Sequence, residues 1–162
     1  MSLLSICEWI QNTHSSTALR ESTYLFPIIE TTHVLGLSLS VGLLVVSDLR
    51  LIGAGMRRRP ASEVFRQLAP WMLAGFAIMF ATGLLLFWSQ ALKAYNSVFF
   101  RAKLCLLLLA GVNAIVYHLT IYRRMNKWEK KLVPAQARLA GWLSLIIWAG
   151  IIAAGRTMAY TF

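Results

Sequence analysis

Four stretches of this chain are nearly free of charge and long enough to cross a bilayer, and nothing else in it constrains the fold as strongly. From Tyr24 to Ser47 only Glu30 is formally charged, and the windows Gln67 to Leu92, Leu104 to Tyr122 and Leu139 to Gly155 carry no charge. A hydrocarbon core of about 30 Å needs about 20 residues of helix. Lipid offers no partner to an open backbone, so each window is expected to be a helix that satisfies its own hydrogen bonds. Composition agrees: of 162 residues 58% are hydrophobic and 14% charged, where soluble domains carry about a quarter charged. The expected fold is an all-α integral membrane protein. It is an up-and-down bundle of four transmembrane helices over roughly 24–48, 68–92, 98–122 and 138–160, forming one domain over 1–162.

A net charge of +10 in a soluble chain would suggest nucleic acid, but here the charge sorts by side. Arg50, Arg57, Arg58, Arg59 and Arg66 follow the first span, and Arg123, Arg124, Lys127, Lys130, Lys131 and Arg138 follow the third. Eleven of the sixteen basic residues therefore share one side, leaving Arg20, Lys93, Arg101, Lys103 and Arg156 for the other. The positive-inside rule then expects a multi-pass protein of the bacterial inner membrane with both termini on the periplasmic side. Lipid is its first partner, and a nucleic-acid partner is not expected.

No secretory signal is evident, because SLLSICEWI is short, contains Glu8 and lacks a basic leader, so the first span is expected to act as its own insertion signal. Residues 3–18 read as a short amphipathic interfacial helix, with Leu3, Ile6, Cys7 and Ile10 on one face. Cys7 and Cys105 lack a CxxC spacing and read as packing residues. Pro60 and Pro70 bracket a brief amphipathic turn before span two, Asn96 and Ser97 stand ready to cap span three, and Pro134 marks the start of span four. Trp88, Tyr95, Tyr122, Trp128 and Tyr160 fall near span ends, where aromatic rings anchor at the interface.

The first span is polar along one face. With Glu30 at zero and about 100° per residue, His33 falls at about 300°, Gly36 at about 240°, Ser40 at about 280°, Ser47 at about 260° and Asp48 returns to about zero. At ~1.5 Å of rise per residue, Glu30 lies ~9 Å and His33 ~13 Å below one surface, with Lys103 at ~8 Å and Arg156 at ~6 Å from the same surface. One layer can thus hold Glu30, His33, Lys103 and Arg156, with Glu30 and Arg156 the expected ion pair. Ionisable groups at membrane depth are costly unless paired, so this layer is the candidate site, functional or structural. His118 lies roughly 9 Å away from His33 in depth. Ligands opposite each other on one metal lie only about 4 Å apart. His118 is therefore the second choice as a ligand, and pairing with Asp48 or satisfaction at a helix end are its other readings.

The segment ETTHVLGLSLSVGLLVVSDLRL, with a histidine nine residues ahead of Gly-Leu-Leu, resembles the first span of HemJ-type protoporphyrinogen oxidases and of CopD-like small membrane proteins. FFRAKLCLLLLAGVNAIVYH resembles their later span, in which a lysine opens a leucine-rich helix. The chain also looks like a family of short bacterial four-span proteins marked by ESTYLFPIIETTH near the start and GRTMAY near the end. The HemJ resemblance implies a b-type haem held by His33 and Lys103, and an oxidoreductase if the protein is an enzyme. Cations near the same surface, Arg101, Arg156 and Arg20, would suit haem propionates.

Several rival readings are open. Glu-x-x-His is half of a di-iron carboxylate site, but the second motif and the further glutamates are missing from the sequence. Copper, which the CopD resemblance implies, favours clustered Met, Cys or His, whereas Met72, Met79 and Met158 are scattered. A proton-coupled carrier or assembly subunit could use Glu30, His33 and Asp48 as a relay, and would have to oligomerise. The leading expectation is a haem b protein in electron transfer or tetrapyrrole oxidation, with a redox partner protein.

Overall fold

A computed structural model describes residues 3–55, 59–124 and 133–160. Of the basic residues assigned above to the two connections, Arg57, Arg58, Lys127, Lys130 and Lys131 lie outside the described residues, as does Trp128. The described chain is all helix: α1 (Leu3–Gln11), α2 (His14–Glu21), α3 (Leu25–Ile52), α4 (Ala61–Ser89), α5 (Ala91–Asn96), α6 (Val98–Val116) and α7 (Ala135–Tyr160). α6 runs on through a π-helical turn at Tyr117–Ile121 and a 3₁₀ turn at Tyr122–Arg124. Four helices, α3, α4, α6 with its π extension, and α7, are long and apolar enough to cross a membrane, which makes this a multi-pass membrane protein.

Turn chemistry explains the boundaries. Gly53 ends α3 with φ at 87°, a left-handed conformation that costs glycine little, and its N–H and those of Ala54 and Gly55 all reach the Leu49 carbonyl. Ser97 caps α6 by accepting a bond from the Phe100 N–H at 3.2 Å, one of the two caps expected there. Asn96 instead closes α5. The brief turn expected between Pro60 and Pro70 does not form: α4 is continuous from Ala61 and contains Pro70. Pro70 is exposed, so its ring lies on the outside of the helix.

Helix pairs set the architecture. α3 packs along α4, α7 along α6, and α3 along α7. Between lipid-exposed helices there is little hydrophobic gain, so close contact depends on small residues. Gly36 and Gly75 supply it for α3 and α4: a Cβ on Gly75 would lie 2.9 Å from the Ser40 nitrogen, and one on Gly36 would lie 3.1 Å from the Gly75 carbonyl oxygen. Gly141 does the same for α7, where an added Cβ would stand 3.3 Å from the Asp48 carbonyl oxygen. Leu51, Ala61, Ile121 and Ala137 form one cluster where the basic connections join. Val41, Met79, Trp148 and Ile151 form another further along the bundle.

Sequential order does not make α4 and α6 close neighbours along their length. They touch through ring pairs at their two ends: Phe87 stacks on Phe100 at 5.6 Å, and Phe65 meets Tyr122 at 5.0 Å. Between these pairs the helices stand apart, and α6 has no buried residue.

The N-terminal segment, expected as one helix over 3–18, is broken at Asn12–Thr13 into α1 and α2. It docks on the α4–α5 corner. Ser16 is fully buried and donates to the Trp88 carbonyl at 2.9 Å. Trp88 Nε1 donates to Thr13 Oγ1 at 3.1 Å, the Leu92 N–H donates to Gln11 Oε1 at 2.8 Å, and Arg20 donates to the Ser89 carbonyl at 3.3 Å. Leu3, Leu4, Ile6 and Trp9 remain exposed, as an interfacial helix requires. The Trp88 ring is thus used for docking as much as for anchoring.

Candidate functional site

The polar face of α3 turns inward as its periodicity demands, and Gly36, Ser40, Ser47 and Asp48 are all buried. His33 is partly buried against α4, where its Nδ1 lies 3.0 Å from Thr82 Oγ1. Hydrogen-bond accounting assigns the tautomer. The single hydroxyl proton of Thr82 goes to the Ile78 carbonyl at 2.6 Å, so Thr82 can only accept from the ring. Nδ1 therefore carries the proton and Nε2 keeps its lone pair. Gly83 makes room for this ring: a Cβ there would press on His33 Cε1 at 3.2 Å.

Lys103 comes from the first turns of α6 and lies against Gly155 of α7, its Nζ 3.6 Å from where a Cβ on that glycine would sit. It is within electrostatic range of His33. Each of the two groups thus lies beside a glycine of a neighbouring helix, His33 at Gly83 and Lys103 at Gly155.

The rest of the expected layer is arranged differently. Glu30 and Arg156 do not pair. Arg156 donates to the Tyr160 hydroxyl at 2.7 Å and lies 5.0 Å from the centre of that ring. Glu30 is exposed and has no ion-pair partner among the described residues. The physical reason is local: Tyr160 is one turn along α7 from Arg156, while Glu30 lies about 60° around α3 from His33, on the outward edge of the polar face. Arg101 is exposed at the same end of the bundle, and Arg20 is tied to the end of α4.

His118 lies at the other end, in the π turn, stacked on Tyr122 with ring centres 4.8 Å apart. A π turn inserts one residue into the helical register and re-aims the side chains that follow. His118 and Asp48 do not bond to each other, but both line a half-open cavity of about 550 Å³ between α3, α4, α6 and α7. Asn113 and Ser144 share that wall. Asn113 Nδ2 donates to the Ala140 carbonyl at 3.1 Å, and Ser144 lines the cavity together with Asp48. Asp48 Oδ2 is buried and has no hydrogen-bond partner among the described residues. Among the described residues no three His, Cys, Asp or Glu side chains converge as a metal site. Cys7 and Cys105 are free thiols.

Sequence reasoning missed Thr82 and the cavity. Thr82 carried a signal, as a polar residue next to Gly83 within a run of apolar ones. The cavity arises from the separation of α4 and α6, which has no local sequence signature.

Residues 22–161 match the model of a family described as a family of unknown function, DUF6644, and the chain belongs to that family. No curated protein and no solved structure matches it.

Proposed function

We propose that this protein binds haem b in the bacterial inner membrane, both termini outside, and acts in electron transfer or tetrapyrrole oxidation. The observation that carries the reading is the bond from His33 Nδ1 to Thr82. Ligating histidines characteristically donate their other ring nitrogen to a fixed acceptor, which holds the ring and its tautomer. His33 has that arrangement and leaves Nε2 free at membrane depth.

The donor set suits the group. His33 Nε2 would supply one ligand, and Lys103, half-buried in the same layer, could supply a second through the lone pair of its neutral amine. Gly83 and Gly155 keep side chains away from both. Arg101 and Arg156 are the cations at that end of the bundle for carboxylate groups of a porphyrin. When bound, haem supplies one-electron chemistry, and the protein's part is to orient it and exclude water. A redox partner and self-association belong to the same proposal.

A second reading, a proton-coupled carrier without haem, draws support from Asp48, a carboxylate facing a membrane-embedded cavity. Copper handling has less behind it, because Met79 is a core residue and Met72 lines the cavity.

Optical spectra of the detergent-purified full chain, oxidised and dithionite-reduced, test the haem reading. A Soret band that His33→Ala abolishes and His118→Ala leaves intact is the expected result. Protein without porphyrin after expression with ample haem overturns it.

A further inference from the structure

The cavity between α4 and α6 is a different place from the His33 layer, since neither His33 nor Lys103 lines it. Its walls are aromatic and aliphatic, with Phe65, Phe76, Phe80, Tyr117 and Trp148 supplying ring faces. Its polar lining residues are Ser47, Asp48, Asn113, Ser144 and His118. An apolar chamber with a few convergent polar groups is the usual form of a small-molecule site. At about 550 Å³ it exceeds severalfold the roughly 150 Å³ that holds a benzene ring.

Asp48 specifies the chemistry. It is 7% exposed, it lines the chamber, and its Oδ2 finds no donor among the described residues. A buried carboxylate oxygen without a donor is costly, and rotation about the soft terminal torsion can present either oxygen to the chamber. The missing partner is therefore a hydrogen-bond donor that arrives with a ligand. Among the described residues no Lys or Arg lines the chamber to attract an anion. A cation approaching from the adjacent end would meet exposed Arg59, Arg66, Arg123 and Arg138. A neutral molecule dissolved in lipid meets no such barrier. It can pass sideways between α4 and α6, whose ends meet at Phe87–Phe100 and Phe65–Tyr122.

We infer that the α3–α4–α6–α7 chamber binds a neutral, lipid-soluble molecule whose aromatic ring carries a hydroxyl, of the hydroquinone class, with the hydroxyl donating to Asp48. The ring lies among the aromatic walls, and an aliphatic tail leaves through the gap between α4 and α6. His118, re-aimed by the π turn, stands at the chamber wall as a second polar contact. The assignment concerns binding alone and does not depend on haem at His33.

The test uses the full chain in lipid nanodiscs under argon, with four probes: a decyl-substituted benzohydroquinone, its dimethyl ether, the corresponding quinone, and tetraphenylphosphonium. Binding is read by equilibrium dialysis and by the dependence of the unfolding midpoint on probe concentration. Wild type should bind the hydroquinone roughly tenfold or more tightly than the ether or the quinone, as expected when the ring hydroxyl supplies the hydrogen bond that Asp48 lacks. Asp48→Asn should shrink that preference to about threefold or less. A Cβ on Gly111 meets nothing within 4 Å and that residue lines the chamber, so Gly111→Phe should fill it and abolish hydroquinone binding with the fold intact. His33→Ala should leave binding unchanged, which separates this site from the haem proposal. Equal affinity for hydroquinone and ether, tighter binding of tetraphenylphosphonium than of hydroquinone, undiminished binding in Gly111→Phe, or no binding of any probe each overturns the assignment.

Discussion

Nδ1 of His33 and Oγ1 of Thr82 lie 3.0 Å apart across the α3–α4 interface, with the threonine proton already given to the Ile78 carbonyl. The pair both joins two membrane helices and leaves one ring nitrogen free, so it sits at the meeting point of fold and chemistry. Thr82→Val keeps the shape and removes the acceptor. It should cost about 1 kcal/mol of helix association and lower the haem content of purified protein, while Thr82→Ser restores it. Stoichiometry by pyridine haemochrome, set beside the unfolding midpoint, distinguishes a lost ring orientation from a general loss of fold.

The glycine seam should show a sharp positional contrast. Gly75→Val must push α4 away from Ser40 and Gly36, because even the first added carbon lies 2.9 Å from backbone. A loss of about 2 kcal/mol is expected, the usual cost of overpacking. Gly42→Ala, on an exposed face where a Cβ meets nothing within 4 Å, should leave the unfolding midpoint unchanged or slightly raised. Thermal scans in detergent compare the two directly.

Removing the Glu30 carboxylate should have little structural effect. Glu30→Gln is expected to alter stability by less than about 0.5 kcal/mol, since no ion pair is lost. Arg156→Gln, by contrast, breaks the bond and the ring contact to Tyr160. Were Glu30→Gln and Arg156→Gln to prove strongly coupled in a double-mutant cycle, the two side chains would have to meet in the membrane after all.

Docking of the N-terminal hairpin should depend on Ser16. Ser16→Ala removes a fully buried donor from the Trp88 carbonyl, a change worth about 1 kcal/mol. Its signature should be faster proteolysis before residue 22 with spans α3 to α7 still protected, read by mass spectrometry of limited digests.

The membrane architecture was legible because lipid leaves the backbone few options: each uncharged window became a helix, and the inward face of α3 followed from residue spacing. The contact of Lys103 with Gly155 of α7 and of His33 with α4 depends on how the helices pair. Which groups then bond was not legible. Arg156 found Tyr160 one turn away on its own helix, and a nearby partner of this kind defeats an argument based on depth. The turn expected between Pro60 and Pro70 gives way to a continuous α4, because an exposed proline within a membrane helix is tolerated. Thr82 and the Asp48 chamber depend on how α4 leans relative to α6, a tertiary property with no periodic trace.

The pairing of α3 with α4 and of α6 with α7 also bears on biosynthesis. Each pair is a hairpin, and the hairpins meet along the seam where Gly141 lies against α3. The first can leave the translocation machinery complete, its glycine contact closed and His33 already turned toward Thr82, before the second has been translated. The carboxylate of Asp48 must then wait in the bilayer until α7 arrives with Ser144, which makes the joining of the hairpins the step most exposed to error during membrane insertion.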